Sequence, residues 1–185
     1  MRRAALLLLS AALFACGDDE PDAPPPLRTP PPALKWVRTR LFDMLDLWIP
    51  EPWSHDYRAF GPDQVHFSAP KDGRFRPQLQ VLWQASKASL SAWASHMSAK
   101  FTDNPQVSLL SQGRAAVGDM SARYLIYGQS GKHPETGAAM EFRTIDFYFA
   151  GHGHTGMLRG VSTARTFPVY RPLFAGIARR LEYRR

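Results

Sequence analysis

The sequence predicts an α+β fold, in which a mostly antiparallel sheet of about six or seven strands is packed by two main helices. Short stretches with an apolar residue at every second position recur beyond residue 33, as expected for strands. Two longer stretches with apolar residues three or four positions apart interrupt them and predict helices. Few predicted strands are separated by the long crossover that parallel pairing requires. The 185 residues allow one ordinary domain and additional segments.

The N-terminal segment has the form of a secretory signal. Arg2 and Arg3 are followed by an apolar run of eleven residues, 4–14. As a helix this run would be about 16 Å long, roughly half of the 30 Å hydrocarbon core of a bilayer. It is therefore too short for a transmembrane helix.

The apolar run ends in Leu13-Phe14-Ala15-Cys16, which contains the only cysteine of the chain. This stretch resembles the lipobox of bacterial lipoproteins, where the signal peptide is removed and the cysteine is lipidated. The resemblance implies a signal peptide at 1–15 and acyl chains on Cys16, which anchor the protein stably at about 0.8 kcal/mol per buried methylene. We expect a membrane-anchored protein of the bacterial cell envelope that faces the periplasm or the exterior. A chance cysteine in an ordinary secretory signal is the alternative.

Residues 16–33 are predicted to form a tether. Seven of the twelve residues 21–32 are proline and no apolar periodicity is present, which favours an extended polyproline spacer. Its reach is roughly 50 Å at 3.1 Å per residue. A proline-rich ligand for another protein is the alternative. The folded domain is expected at 34–185.

The first half of the domain predicts three strands and a helix. Apolar residues alternate with other residues at 45–49, 65–67 and 79–84. Pro50-Glu51-Pro52-Trp53 and Pro70-Lys71-Asp72-Gly73 predict turns. The helical stripe then consists of Leu90, Trp93, Ala94, Met97 and Phe101. Ser89 is placed to cap this helix, and residues 102–105 are placed to end it.

The second half predicts four strands, at 107–111, 122–127, 142–149 and 157–161, with turns at 128–137 and 151–156. The third of them carries apolar residues on both faces, which favours a central strand covered on both sides. A second helix follows, with Thr166 as its cap and Pro168 in its first turn. Its apolar stripe consists of Tyr170, Leu173, Phe174, Ile177 and Leu181.

This order of elements, the segment Ile49-Pro50-Glu51-Pro52-Trp53 and the helix over 170–181 resemble the PsbP-like superfamily. The resemblance covers residues 36–183. It implies an α/β/α sandwich. Members include a thylakoid photosystem subunit, a nuclear import factor that binds a small GTPase, and bacterial lipoproteins. Such families share no active site, so the resemblance implies binding or assembly rather than catalysis.

Motifs for catalysis are weak. Gly128-Gln129-Ser130-Gly131-Lys132 lacks the first glycine of a phosphate-binding loop, and His133 follows where a magnesium-binding hydroxyl is needed. His152 and His154 could approach one metal, with His133 and Glu135 in another loop. Metal sites usually take three or four protein ligands, so a solvated turn is the favoured interpretation.

The remaining candidates are also explained more simply by structure. His55 and Asp56 are adjacent, and adjacent side chains of an extended chain point apart. His96 is expected to face solvent or to pack at the margin of its helix. The aromatic residues near the start of the domain predict core packing, with a recognition surface as the alternative; they are Trp36, Trp48, Trp53, Tyr57 and Phe60.

Charge gives little support for binding to nucleic acid. The chain carries +7; without Arg2 and Arg3, 21 basic residues remain against 16 acidic ones, a charge of +5. Basic residues cluster only at Arg179, Arg180, Arg184 and Arg185, where a helix end favours them. Attraction to anionic lipid head groups is the alternative for this cluster.

The sequence therefore predicts a lipid-anchored binding or accessory module with an envelope protein as its partner. We expect no catalytic activity, no cofactor and no metal. Two alternatives stay open. The first is a metal-dependent hydrolase that uses His152 and His154. The second is a carrier that holds a small apolar ligand between sheet and helix.

Overall fold

The computed structural model describes residues 34–56, 62–71, 75–102, 104–132 and 137–184. The predicted signal peptide, Cys16 and the proline-rich tether lie outside the described residues. No helix in the described part of the chain combines the length and the apolar character that crossing a membrane requires.

The described residues form ten strands and two helices. In chain order they are β1 (Trp36–Leu41), β2 (Leu45–Pro50), β3 (Ser54–Asp56), β4 (Gln64–Ser68), β5 (Gln78–Ala85), α1 (Leu90–Thr102), β6 (Val107–Val117), β7 (Met120–Lys132), β8 (Ala139–Gly151), β9 (His154–Thr163), α2 (Phe167–Arg179) and β10 (Glu182–Tyr183). The predicted α+β class is confirmed.

Seven strands form one antiparallel sheet in the order β3-β4-β5-β9-β8-β7-β6. β8 lies inside this sheet, between β7 and β9. Its odd-numbered apolar residues, such as Phe147, belong to the larger hydrophobic core. Tyr148, on the opposite face, belongs to a second and smaller core. The predicted interior strand covered on both faces is thereby confirmed.

Three strands form a separate small sheet in the order β1-β2-β10. The strand predicted at 45–49 lies here and not in the large sheet, where β3 makes up the count of seven. β1, β3 and β10 were not expected. β1 lacks a regular apolar alternation, and β10 has two residues that pair with β2, more than 130 positions earlier in the chain. No local pattern encodes such a pairing.

The two helices lie on opposite faces of the large sheet. α2 packs on the larger core through Phe174 and Ile177, both fully buried. A Cβ atom at Gly160 of β9 would be 2.4 Å from the Phe174 ring, so the glycine lets α2 approach the sheet closely. α1 covers the other face with Trp93, whose indole Nε1 donates to the Gly156 carbonyl at 3.1 Å.

The predicted start is correct for α1 and only partly correct for α2. Ser89 Oγ accepts a hydrogen bond from the Ala92 amide at 3.2 Å, which confirms the α1 cap. Pro168 lies in the first turn of α2, as predicted. Thr166 precedes α2, but its side chain caps no backbone amide and lies 2.9 Å from the Thr163 hydroxyl instead.

The predicted turn at 128–137 was wrong over its first half. Residues 128–132 belong to β7 and pair with the first residues of β8. The predicted turn at 151–156 shrinks to His152 and Gly153. α2 ends at Arg179, so the buried Leu181 follows the helix. In the two hairpins, cross-strand hydrogen bonds outweigh the local preference of glycine for turns.

Candidate functional site

The α1-facing side of the large sheet contains a buried ion pair. Asp146 of β8 is fully buried, and Arg159 lies directly opposite it on β9. Arg159 Nε donates to Asp146 Oδ1 and Arg159 Nη2 donates to Asp146 Oδ2, each at 2.8 Å. This bidentate geometry is the strong form of an arginine–carboxylate contact.

Two tyrosines complete the surroundings of the carboxylate. The hydroxyls of Tyr148 and Tyr127 donate to Asp146 Oδ2 at 2.6 and 3.2 Å. Burial, and then the negative charge of Asp146, raise the pKa of both tyrosines well above the ordinary value. Burial alone would lower the pKa of Arg159, but its hydrogen bonds to Asp146 and the charge of that carboxylate outweigh burial and raise it. The hydrogen bonds of the cluster therefore fix these four side chains to one another on the sheet.

The tyrosines should make the protein sensitive to alkali. Because their pKa values are raised on folding, the unfolded chain loses these protons first, and stability should fall as the pH rises above about 10. Each tyrosine can contribute up to about 1.4 kcal/mol per pH unit to this slope. Urea unfolding of the Tyr148→Phe variant between pH 9 and 12 should show a shallower slope than wild type. Identical slopes would contradict the assignment, whatever the difference in absolute stability.

Next to the buried cluster, two arginines face each other across neighbouring strands. Arg114 of β6 is paired in register with Arg123 of β7, and Arg123 is paired in turn with Tyr148 of β8. Both arginines are exposed. No carboxylate of the described residues forms an ion pair with either of them.

These arginines border a cleft between α1 and the strands β6 and β7. The cleft has a volume of about 240 Å³. Buried Ala94 and Leu125 contribute apolar surface, while the exposed Ser95 and Gln112 contribute polar groups. It is thus an open cleft with two cations at its border.

The two histidines considered as metal ligands in the alternative interpretation stack on aromatic rings. The ring centres of His152 and Tyr183 are 3.8 Å apart, and those of His154 and Trp83 are 4.9 Å apart. In each pair the two rings are nearly parallel. His154 Nδ1 is 2.9 Å from the His152 carbonyl oxygen. Aromatic packing therefore accounts for both imidazoles, although His152 also stays exposed as a solvated turn would require.

The other residues suggested as ligands for that metal are separated from this turn in sequence by β8. His133 and Glu135 lie outside the described residues, between β7 and β8. The turn with His152 follows the other end of β8, whose 13 residues span about 40 Å. Among the described residues, no group of three or more His, Cys, Asp or Glu side chains could hold a metal ion. The structure gives the hydrolase hypothesis no support.

The remaining predicted residues have structural roles. Trp53 is buried in the core and packs edge-on against Phe174 at 6.3 Å. Trp36 and Trp48 are half-buried. Core packing is thus confirmed for Trp53, while Trp36 packs at the margin of the same core and Trp48 Nε1 donates to Glu182 Oε1 at 3.4 Å. Tyr57 and Phe60 lie outside the described residues.

The two isolated histidines occupy exposed positions. His96 is exposed on α1, as expected. His55 is also exposed and lies on β3, in register with Phe67 of β4. The distance between the His55 and Phe67 ring centres is 6.1 Å.

Of the C-terminal arginines, Arg179, Arg180 and Arg184 mainly serve the helix end and the small sheet, and Arg185 lies outside the described residues. Arg179 Nε and Arg180 Nη1 donate to the Ala175 and Gly176 carbonyls. The Arg180 guanidinium also lies 4.4 Å from the centre of the Trp36 ring. Arg184 lies 3.4 Å from the buried carboxylate of Asp46. Complementation of the helix end, the favoured interpretation, agrees with these contacts.

Sequence reasoning missed both arginine features. Asp146 could have been found, because a charge inside an apolar strand covered on both faces needs a partner. Arg114 and Arg123 lie at equal distances from Gly118-Asp119, and a two-residue hairpin there would place them opposite each other. The meeting of Arg114 with Arg123 was not predicted, because the strands predicted at 107–111 and 122–127 leave out residues 112–121.

Comparison with solved structures identifies the fold as PsbP-like. As a sequence the chain matches no protein-family model and no curated protein. The cyanobacterial PsbP protein CyanoP of Synechocystis is similar with a TM-score of 0.60 and 13% identity, over 86% of this chain and 100% of CyanoP. At such identity the similarity establishes the fold alone.

Two further structures share this architecture. LpqN of Mycobacterium tuberculosis, which is involved in cell envelope biogenesis, has a TM-score of 0.57 and 12% identity, over 83% of this chain and 92% of LpqN. The Ran-binding protein Mog1p of Saccharomyces cerevisiae has a TM-score of 0.56 and 10% identity, over 81% of this chain and 96% of Mog1p. The PsbP-like architecture expected from the sequence is confirmed.

Proposed function

We propose that the protein is a lipid-anchored binding or accessory module of the bacterial cell envelope, with the membrane and an envelope protein as its partners. The observation that carries the proposal is a PsbP-like domain placed after a lipobox-like cysteine and a proline-rich spacer. The similarity to LpqN, a protein of envelope biogenesis, and to the Ran-binding Mog1p supports a binding role in the envelope.

The geometry of the described residues also favours binding over catalysis. The carboxylate of Asp146 and the two tyrosines beside it are buried, and the carboxylate accepts four hydrogen bonds, so these groups are occupied within the fold; the Arg159 side chain is 24% exposed. The cleft beside Arg114 and Arg123 is open and combines charge with apolar surface. Such a cleft suits recognition of a ligand.

Packing against the helices gives no support to the apolar carrier. Phe174 of α2 is fully buried and lies directly on the sheet at Gly160. Trp93 of α1 is hydrogen bonded to the sheet backbone. At Gly160 and Gly156 the helices are thus in direct contact with the sheet, and the carrier stays an untested prediction.

The Cys16→Ser variant should lose lipidation completely. The protein is expressed in bacteria with labelled palmitate, and incorporation of label into the protein is measured. Wild type should incorporate the label, because the thiol is the acceptor of the acyl chains, and the serine variant should not. A Ser10→Ala variant, which alters the same apolar segment but keeps the thiol, should be labelled like wild type. An unlabelled wild type would refute the anchoring.

A further inference from the structure

We propose that the cleft between α1 and the β6–β7 hairpin binds a dianionic phosphomonoester through Arg114 and Arg123. The inference goes beyond the proposed function, because it names a ligand chemistry and does not require the lipid anchor.

The contacts of the described residues do not explain the position of the two charges. Arg114 and Arg123 are directly opposite each other on antiparallel strands. Like charges in such a pair destabilise a sheet. No carboxylate among the described residues offsets this repulsion, whereas Arg38 and Arg159 are both paired with an aspartate. An external anion would compensate both guanidinium groups.

The charge of the site matches that of a phosphomonoester. The two arginines together carry two positive charges, and a monoester is close to a dianion at neutral pH, whereas a carboxylate would neutralise only one of them. Guanidinium groups also bind phosphate oxygens in bidentate fashion. Ser95 of α1 and Gln112 of β6 add hydrogen-bonding groups to the lining of the cleft.

The size and lining of the cleft also suit a phosphate-bearing group. Its 240 Å³ is below the roughly 300–1,000 Å³ of pockets that enclose a drug-sized ligand, so it fits one phosphate-bearing group. Ala94 and Leu125 are buried and give an apolar wall beside the charges. A small metabolite and a lipid head group present this same chemistry to the site.

Thermal unfolding of the full-length protein distinguishes these sources. In non-ionic detergent at about pH 8, where the monoester is dianionic, glycerol 3-phosphate is titrated at constant ionic strength. In a second arm the protein is reconstituted into phosphatidylcholine vesicles with or without phosphatidate. A ligand that binds only the folded state raises the unfolding midpoint. We expect a rise in at least one arm, and a rise with phosphatidate alone assigns the site to a lipid.

Substitution of the arginines tests the site itself. Arg114→Gln and Arg123→Gln should each weaken binding by about tenfold or more, the loss expected for a hydrogen bond to a charged group. Without ligand both variants should be at least as stable as wild type, since a repulsion is removed. The double variant Arg165→Gln/Arg171→Gln removes two exposed charges near α2 and should respond to ligand like wild type.

Two outcomes would overturn the site. One is the absence of a shift of the wild-type midpoint in both arms. The other is an equal shift in wild type and in the Arg114 and Arg123 variants, which indicates non-specific anion effects. Neither outcome bears on palmitate labelling of Cys16, so failure of the site and failure of the proposed function are distinguishable.

Discussion

The Asp146→Asn variant is expected to lose about 3–5 kcal/mol of its free energy of unfolding, the cost of removing one partner of a buried ion pair. Asp146 is fully buried and receives four hydrogen bonds, two from Arg159 and one each from Tyr127 and Tyr148. The asparagine keeps the shape but removes the charge. One of its amide hydrogens would also face a donor. Urea denaturation followed by tryptophan fluorescence measures the loss.

Two further variants separate the buried charge from a general effect of substitution. Asp63→Asn makes the same chemical change at an exposed position and should stay within about 0.5 kcal/mol of wild type. The double variant Asp146→Leu/Arg159→Met removes both charges and should recover part of the loss, because apolar replacements of a buried pair are often tolerated. An Asp146→Asn variant as stable as Asp63→Asn would contradict the assignment.

The Gly118→Ala variant should be destabilised by about 2–4 kcal/mol, from backbone strain and a steric clash together. Gly118 lies in the turn between β6 and β7 with a φ of 57°, which L residues adopt only at a cost. A Cβ atom there would be 1.9 Å from the backbone oxygen of Leu181. The Gly118 amide also donates to the Ala178 carbonyl at 3.0 Å. The substitution therefore separates the hairpin from the end of α2.

Gly153→Ala is the matched control for this clash. Gly153 has a similar φ of 76°, but a Cβ atom there would have no neighbour within 4 Å. This variant should show only the cost of the backbone conformation, about 1 kcal/mol at the lower end of the range for strained residues. Equal losses in the two glycine variants would show that contact with Leu181 contributes nothing. Both are measured by urea denaturation.

Much of the fold follows from local periodicity. The alternation in 142–149 predicts both the strand and its two buried faces, since side-chain direction in a strand depends only on the residue number. The stripes around Trp93 and Phe174 predict the helices, because residues three or four positions apart lie on one face of a helix. At Gly128 and Gly131 the local composition gives the wrong prediction. Glycine suggests a turn, but pairing with β8 keeps both residues in a strand.

The candidate site was much less predictable. His152 and His154 are close in sequence and therefore suggest a shared metal ion, yet each packs on an aromatic ring from a different strand. Arg114 and Arg123 are nine positions apart and become neighbours only through the hairpin register. Chemistry that depends on two strands can be predicted only when their pairing is predicted first.

The sequence alone determines the fold class of the domain and the expected cellular location. Apolar periodicity specifies strands and helices, and the segment that ends in Cys16 predicts lipid anchoring, because both are properties of consecutive residues. The tertiary structure decides the division into two sheets, the partners of Asp146 and the meeting of Arg114 with Arg123. These features depend on register between distant strands, and a shift of one residue would move every side chain to the opposite face.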